Sequence, residues 1–304
     1  MPAPRPLVRP LFDGPVDIVG DVHGEIAALR TLLRVLGYSE RGEHPEARRL
    51  VFLGDLTDRG PDSPAVVALV RDLVEAEAAQ CVLGNHDLNL LLGHEKYDND
   101  WFFGRPFHAE DGALVPQVLA DDRIRRETLA FFRTLPLVLV RDDLRVVHAC
   151  WNAEMAEIAR TATDVLDLFH EHADRIDASL AGRDLDKVDR ELAHQNRNPV
   201  KVLTSGPERR IATPRFASGK LRNEERVQWW ETYDERPLCV FGHYSLPLDV
   251  PRTGRAVCVD FGVGKRWTER LRADFDGTHR LKLAALRLPE RRIVFDDGTQ
   301  PPLP

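Results

Sequence analysis

Six side chains able to bind metal ions each follow a short apolar run: Asp21 and His23 after residues 16–19, Asp55 after 50–53, Asn85 after 80–83, His148 after 144–147 and His243 after 238–241. Carboxylate and amide oxygens mixed with imidazoles suit hard to borderline divalent cations. One ion can take Asp21, His23 and Asp55, and a second Asp55, Asn85, His148 and His243. A shared carboxylate would hold the pair roughly 3.5–4 Å apart, the spacing of two-metal hydrolases. A water bridging such a pair loses a proton near neutral pH and becomes a nucleophile, while the ions polarise phosphoryl oxygens. Beside Asp55 lie Asp58 and Arg59, within Gly54-Asp55-Leu56-Thr57-Asp58-Arg59-Gly60. The guanidinium fork of an arginine matches a phosphate.

Blander roles exist for each residue. Asp21 and Asp55 could cap the helices that follow them, His148 could be a core histidine, and Asp58 with Arg59 could stabilise a turn. The ordered set favours the metal reading over these.

Positioning the six requires strands that end together. Ile26, Leu29, Leu32, Leu33 and Leu36 have helical spacing, and Gly37 stops the helix. A second helix opens at Ser63 or Pro64 and runs to about residue 79, and a third starts over residues 88–92. Three successive strand–helix units, each ending its strand in Gly followed by Asp or Asn, predict an α/β fold with parallel strands and a site at their carboxyl ends. Residues 121–134 read as a helix. Residues 137–140 and 144–147 read as a hairpin turned at Asp142-Asp143. The charged stretch of about 152–196 reads as a helical insertion on the same core, 201–204 as a short strand, and 205–226 as a loop over the site. Residues 238–241, 257–260, 281–288 and 292–295 complete a second, more antiparallel set. Residues 1–15 read as an extended, proline-rich lead-in, and 16–304 as a single domain. The aromatic segment 94–107 (Tyr97, Trp101, Phe102, Phe103, Phe107) belongs near the mouth of the site, and its part from Trp101 to Phe107 reads as core or lid rather than a base-stacking platform.

The bulk composition bounds the partners. A chain of 304 residues with 43% hydrophobic and 30% charged residues is long and apolar enough for a real core. Its net charge of −7 argues against a protein built to grip nucleic-acid backbones, so no stable nucleic-acid partner is expected. No apolar run reaches the length of a membrane helix and the N-terminus lacks the apolar core of a signal peptide, so the expected setting is cytoplasmic, away from membranes. Cys81, Cys150, Cys239 and Cys258 lie in strand-like settings without a CxxC pair, which predicts buried free thiols.

In order and spacing, Gly20-Asp21-Val22-His23-Gly24, Gly54-Asp55-Leu56-Thr57-Asp58-Arg59-Gly60 and Gly84-Asn85-His86-Asp87 resemble the phosphoprotein-phosphatase branch of the calcineurin-like metallophosphoesterases. His148 and Gly242-His243 resemble that family's later ligand motifs. The resemblance implies a central β-sandwich of mixed sheets flanked by α-helices, and two divalent ions, manganese foremost with iron or zinc as alternatives. It implies the metal ligands Asp21, His23, Asp55, Asn85, His148 and His243. It also implies that His86 protonates the leaving oxygen, that Asp58 holds its imidazole, and that Arg59 binds phosphate. An imidazolium paired with a carboxylate has the raised pKa that such a donor needs. A second phosphate-binding arginine falls between His148 and His243; Thr213-Pro214-Arg215 selects Arg215, with Arg209, Arg210 and Arg222 competing. No tyrosine stands in Asp260-Phe261-Gly262-Val263-Gly264, where many eukaryotic protein phosphatases carry one.

The leading functional expectation is a phosphatase for phosphate monoesters, with a phosphorylated protein (phosphoserine or phosphothreonine) or a small phosphorylated compound as substrate. The alternative is a dinucleoside polyphosphate hydrolase of the diadenosine tetraphosphate type. Asp58 tilts towards the monoesterase, because that position is often not acidic in the other branch.

Overall fold

Alternation along the strands divides their side chains between two apolar layers. The computed structural model describes residues 5–217, 220–247 and 254–301. Its strands are β1 (Val8–Pro10), β2 (Val16–Val19), β3 (Arg49–Phe52), β4 (Ala79–Cys81), β5 (Phe107–His108), β6 (Leu114–Val115), β7 (Val138–Arg141), β8 (Leu144–Val147), β9 (Glu208–Ala217), β10 (Lys220–Arg226), β11 (Leu238–Phe241), β12 (Ala256–Cys258), β13 (Ala284–Leu288) and β14 (Arg292–Phe295). The helices are α1 (Ile26–Leu36), α2 (Ser63–Glu75), α3 (Asn85–Leu91), α4 (Asp122–Phe132), α5 (Ala153–Thr161), α6 (Val165–Leu180), α7 (Lys187–Arg197), α8 (Pro199–Ser205) and α9 (Arg266–Arg270).

Two five-stranded sheets form the centre, ordered β14-β13-β2-β3-β4 and β1-β7-β8-β11-β12. In the first, β2, β3 and β4 are parallel, while β13 is antiparallel to both its neighbours. In the second, β8, β11 and β12 are parallel, β1 is parallel to β7, and β7–β8 is antiparallel. Ile18 and Val51 from one sheet meet Val146, Val240 and Val257 from the other in a shared apolar layer. Val19, Phe52 and Phe241 point the other way, into the layer that holds Leu29 and Leu32 of α1, Val66 and Val70 of α2 and Trp229. Strands covered on both faces need apolar side chains at every position, hence their unbroken runs. The result is a β-sandwich of mixed sheets flanked by helices. The cysteines are free thiols buried in these layers.

Gly37 ends α1 with φ +97°, its N–H bonding the Arg34 carbonyl, as the stop signal required. Four expectations change. The strands after residue 238 do not form one antiparallel set: β11 and β12 run parallel beside β8 in the second sheet, while β13 and β14 extend the first. Residues 5–15 are more than a lead-in: Leu7 and Leu11 are buried, and β1 pairs with β7 as an edge strand. Residues 201–204 lie within a helix rather than a strand, because Asn198 caps α8 by accepting from the Val200 N–H at 3.1 Å and Pro199 starts its first turn. The stretch 205–226 is largely a hairpin, β9–β10, rather than a loop, with cross-strand pairs such as Arg209–Glu225 at 2.8 Å.

At the far end of β2 from Asp21, the fully buried Asp17 carboxylate binds donors from three residues. Arg287 Nε donates at 2.9 Å, Arg48 Nε at 3.1 Å and the Tyr38 hydroxyl at 2.9 Å. This network ties β2 to β13 and to the loop entering β3. Among the described residues, no helix is long and apolar enough to cross a membrane.

Candidate metal and phosphate site

The carboxyl ends of β2, β3, β4, β8 and β11 deliver Asp21, His23, Asp55, Asn85, His148 and His243 to one place. Close backbone approach makes this possible. A Cβ on Gly84 would lie 2.1 Å from the Asp55 nitrogen, and one on Gly242 would lie 2.1 Å from Asp21 Oδ1. Nine non-glycine residues among those described have positive φ, and His23, Asp55, Asp58, Arg59 and His243 are five of them. Each such residue costs about 1–3 kcal/mol, and such strain concentrates at functional sites. The backbone is bent here to aim side chains inward.

Three groups of donor atoms form, each within 4.8 Å: two share Asp55, with His23 and His86 in one and His148 and His243 in the other, and the third joins Asp58, His86 and Asp98. His23 Nε2 stands 3.7 Å from Asp55 Oδ2 and 4.0 Å from Asp21 Oδ2. His148 Nε2 stands 3.4 Å from Asp55 Oδ2 and 3.1 Å from Asn85 Oδ1, which is 2.7 Å from His243 Nδ1. The other ring nitrogens of two histidines are engaged: His23 Nδ1 donates to the Thr57 carbonyl at 2.9 Å and His148 Nδ1 to the Leu53 carbonyl at 2.6 Å. Those bonds leave the Nε2 lone pairs facing inward, the orientation a metal ligand needs.

The electrostatics fit a cation between these atoms. With its oxygen turned in, the Asn85 amide faces only groups that accept, and a reversed amide would donate to His243 Nδ1, His148 Nε2 and Asp55 Oδ2. Burial alone would pull the His148 imidazole down, yet Asp55 and Asp21 push it up to about 10. Burial opposes charge on Asp55, but His148, His86 and His23 hold it well below the usual carboxylate range. Burial and then Asp260 push Asp21 well above that range. Clustered acceptors that demand positive charge are suited to divalent ions.

Beside this cluster, His86 Nδ1 and Asp58 Oδ2 are 2.7 Å apart. Burial lifts the Asp58 carboxyl to about 6 against the pull of that bond. Burial and Arg59 pull His86 down, but Asp98, Asp55 and Asp58 outweigh them and its pKa is raised. The Arg59 guanidinium contacts His86 Nε2 at 2.9 Å through Nη2 and His23 Nε2 at 3.1 Å through Nη1. Arg215 lies on β9 opposite Arg222, and its side chain is outside the described residues.

Several supporting residues come from segments that the motif reading did not reach. Asp98 accepts from Arg59 Nε at 2.7 Å, and Trp101 donates from Nε1 to Asp58 Oδ1 at 2.7 Å. Trp101 is thus core and site support at once. Asp87 accepts from the Leu56 N–H and the Thr57 hydroxyl, each at 3.1 Å, locking the turn after Asp55. Arg226 Nη1 donates to the His243 carbonyl at 3.2 Å. Asp260 accepts from the Ser245 N–H at 2.6 Å, and its place after an apolar strand run, like that of Asp21 and Asp55, was the available signal.

Comparison with known proteins places this architecture. A symmetrical bis(5'-nucleosyl)-tetraphosphatase of Chromohalobacter salexigens is 32% identical over 269 residues, which cover 84% of this chain and 92% of that protein. An asymmetrical bis(5'-nucleosyl)-tetraphosphatase of Geobacillus thermodenitrificans is 35% identical over 146 residues, 44% of this chain and 56% of that protein. The chain spans about half the length of several of the curated relatives it matches. A solved structure described as a candidate diadenosine tetraphosphatase shares the fold, with a TM-score of 0.50 and 19% identity over 96% of this chain and 97% of the other. Residues 14–275 match the family model described as calcineurin-like phosphoesterase, and the chain therefore belongs to that family.

Proposed function

We propose that the protein is a metal-dependent hydrolase of dinucleoside polyphosphates. The observation that carries the substrate class is the extent of the Chromohalobacter relative, which aligns over 84% of this chain and 92% of itself and is named a bis(5'-nucleosyl)-tetraphosphatase. This reverses the order of the two readings drawn from the sequence. The reaction type rests on the two donor groups that share Asp55. Asp21, His23 and Asp55 would hold one ion, and Asp55, Asn85, His148 and His243 the other, with manganese the first candidate and iron or zinc compatible with the mixed nitrogen and oxygen donors. Bound there, two divalent ions supply Lewis-acid polarisation of phosphoryl oxygens and activation of water.

The chain's own residues do the remainder. Arg59, steadied through Nε by Asp98, rests its two outer nitrogens on His23 and His86, and would turn them to phosphoryl oxygens when ions and substrate occupy the site. Asp58 holds His86 Nδ1, and once Arg59 leaves Nε2 for phosphate, a protonated Nε2 would face the departing oxygen. Asp21 accepts from the His243 N–H at 3.0 Å, which ties the ends of β2 and β11, strands of the two different sheets, together at the site.

A second reading, hydrolysis of phosphate monoesters including phosphoproteins, has one observation in its favour: the buried Asp58–His86 pair, braced by Trp101. A nucleotide phosphate is a good leaving group and gains little from a proton, whereas a serine or threonine alkoxide needs one. The discriminating test is a panel with Mn²⁺ on diadenosine tetraphosphate, an aryl phosphate and a phosphothreonine peptide. The proposal expects kcat/KM for the dinucleotide to exceed the other two by at least about tenfold; a preference for the peptide would reverse it.

A further inference from the structure

Among the described aromatic residues, Tyr97 is the exposed one, with 52% of its surface accessible. It immediately precedes Asp98, whose carboxylate holds Arg59 and lies 4.0 Å from His86 Nδ1. Its ring rests edge-on against buried Phe107, centroids 5.2 Å apart at 86°. Phe107 in turn meets Trp267 at 5.4 Å and 75°. Trp267 belongs to α9, just after Gly264, whose Cα sits so close to the His23 ring that a Cβ would lie 2.3 Å from Cδ2. The row Tyr97–Phe107–Trp267 therefore runs along the rim of the site on the His23 and Arg59 side, buried in its middle and open at Tyr97. Exposed Leu114 lies on the β6 strand paired to the strand of Phe107, and exposed Val118 follows closely, its N–H bonded to the Pro61 carbonyl.

We propose that Tyr97 is a stacking platform for a nucleobase of the substrate, positioned by Phe107 beside the arginine that grips its phosphate. A nucleotide places one sugar between phosphate and base, so a phosphoryl group at Arg59 brings its base to this rim. An aromatic face open to water and fixed at its edge offers a planar partner area at little cost in side-chain ordering. The neighbouring charges are acidic: after burial, Glu110, Asp111 and Asp98 push the Tyr97 hydroxyl upward. Such a setting repels a further phosphate and suits a neutral ring with hydrogen-bond donors, as in an adenine amino group.

The platform deepens the tetraphosphatase reading and rests on it, but it is tested separately. The Mn²⁺-loaded protein hydrolyses an aryl phosphate while AMP or ribose 5-phosphate competes, and the ratio of their inhibition constants reports base recognition. The expected result is AMP binding more tightly by on the order of tenfold, from the usual strength of base–aromatic stacking. That preference collapses towards one in Tyr97→Ala and Tyr97→Leu and survives in Tyr97→Phe. The leucine keeps an apolar cover over Phe107, so a loop disturbance in the alanine variant does not decide the outcome. AMP and ribose 5-phosphate inhibiting equally in the parent protein, or a preference that persists in both Tyr97→Ala and Tyr97→Leu, overturns the platform. Failure to cleave diadenosine tetraphosphate with the Tyr97-dependent preference intact overturns the tetraphosphatase reading and leaves the platform standing.

Discussion

Asp55 is the residue on which two of the donor groups converge, and its Oδ1 also accepts from the His86 N–H at 2.9 Å. Replacing one oxygen by an amide nitrogen, as in Asp55→Asn, removes a charge between the two candidate ion positions. The expected result is loss of bound metal, read by elemental analysis, and a fall in kcat on the order of 10³-fold or more. His86 should behave differently, because the role proposed for its side chain is at the leaving oxygen. His86→Asn should keep its metal and slow alkyl phosphates by about 10²–10⁴-fold, with aryl phosphates slowed much less. Equal slowing of the two would remove His86 from the proton-donating role. These residues were legible in sequence because each follows a strand directly, so its position in the fold is inherited from a local pattern. Asp98 and Trp101 were not legible as site residues. They lie in a segment without periodicity, and nothing local states that it folds back 43 residues to Asp58 and 39 to Arg59.

At the scale of elements, β2 joins the site at one end to the Asp17 network at the other. Arg287 pairs directly across from Asp17 in the β13–β2 register, and Arg48 reaches the same carboxylate from the loop before β3. Asp17→Ala would leave these guanidinium groups without their buried partner. A loss of about 3–5 kcal/mol is expected, measured by urea unfolding. An unchanged unfolding midpoint would show that solvent replaces the carboxylate there. The misread elements have equally local causes. Val202, Leu203 and Thr204 resemble a strand in composition, but the Asn-Pro start of α8 sets a helix. The β9–β10 hairpin carries Arg and Glu where a strand pattern would show alternating apolar residues. Its stabilising pairs, such as Arg209–Glu225, exist only once the register is formed.

For the molecule as a whole, the proposed metal ligands come from both sheets of the sandwich. Asp21, His23, Asp55 and Asn85 follow strands of one sheet, and His148 and His243 follow strands of the other. Ion binding should therefore stabilise the global fold rather than one loop. After chelation, returning Mn²⁺ to about 100 times its Kd should raise stability by about 2.7 kcal/mol, seen as a higher Tm in calorimetry. A Tm insensitive to chelator and metal would contradict a site that bridges the sheets. The chain's own order of residues was enough to name the donors, their sequence and the α/β layering, because strand-then-ligand units are local and their apolar periodicity is strong. Folding in three dimensions settled which donors share Asp55, how Arg59 is held, and that one tyrosine of an aromatic segment faces solvent at the rim. Those facts depend on how irregular loops cross between sheets, where the contacts are long-range and the sequence carries no repeating signal.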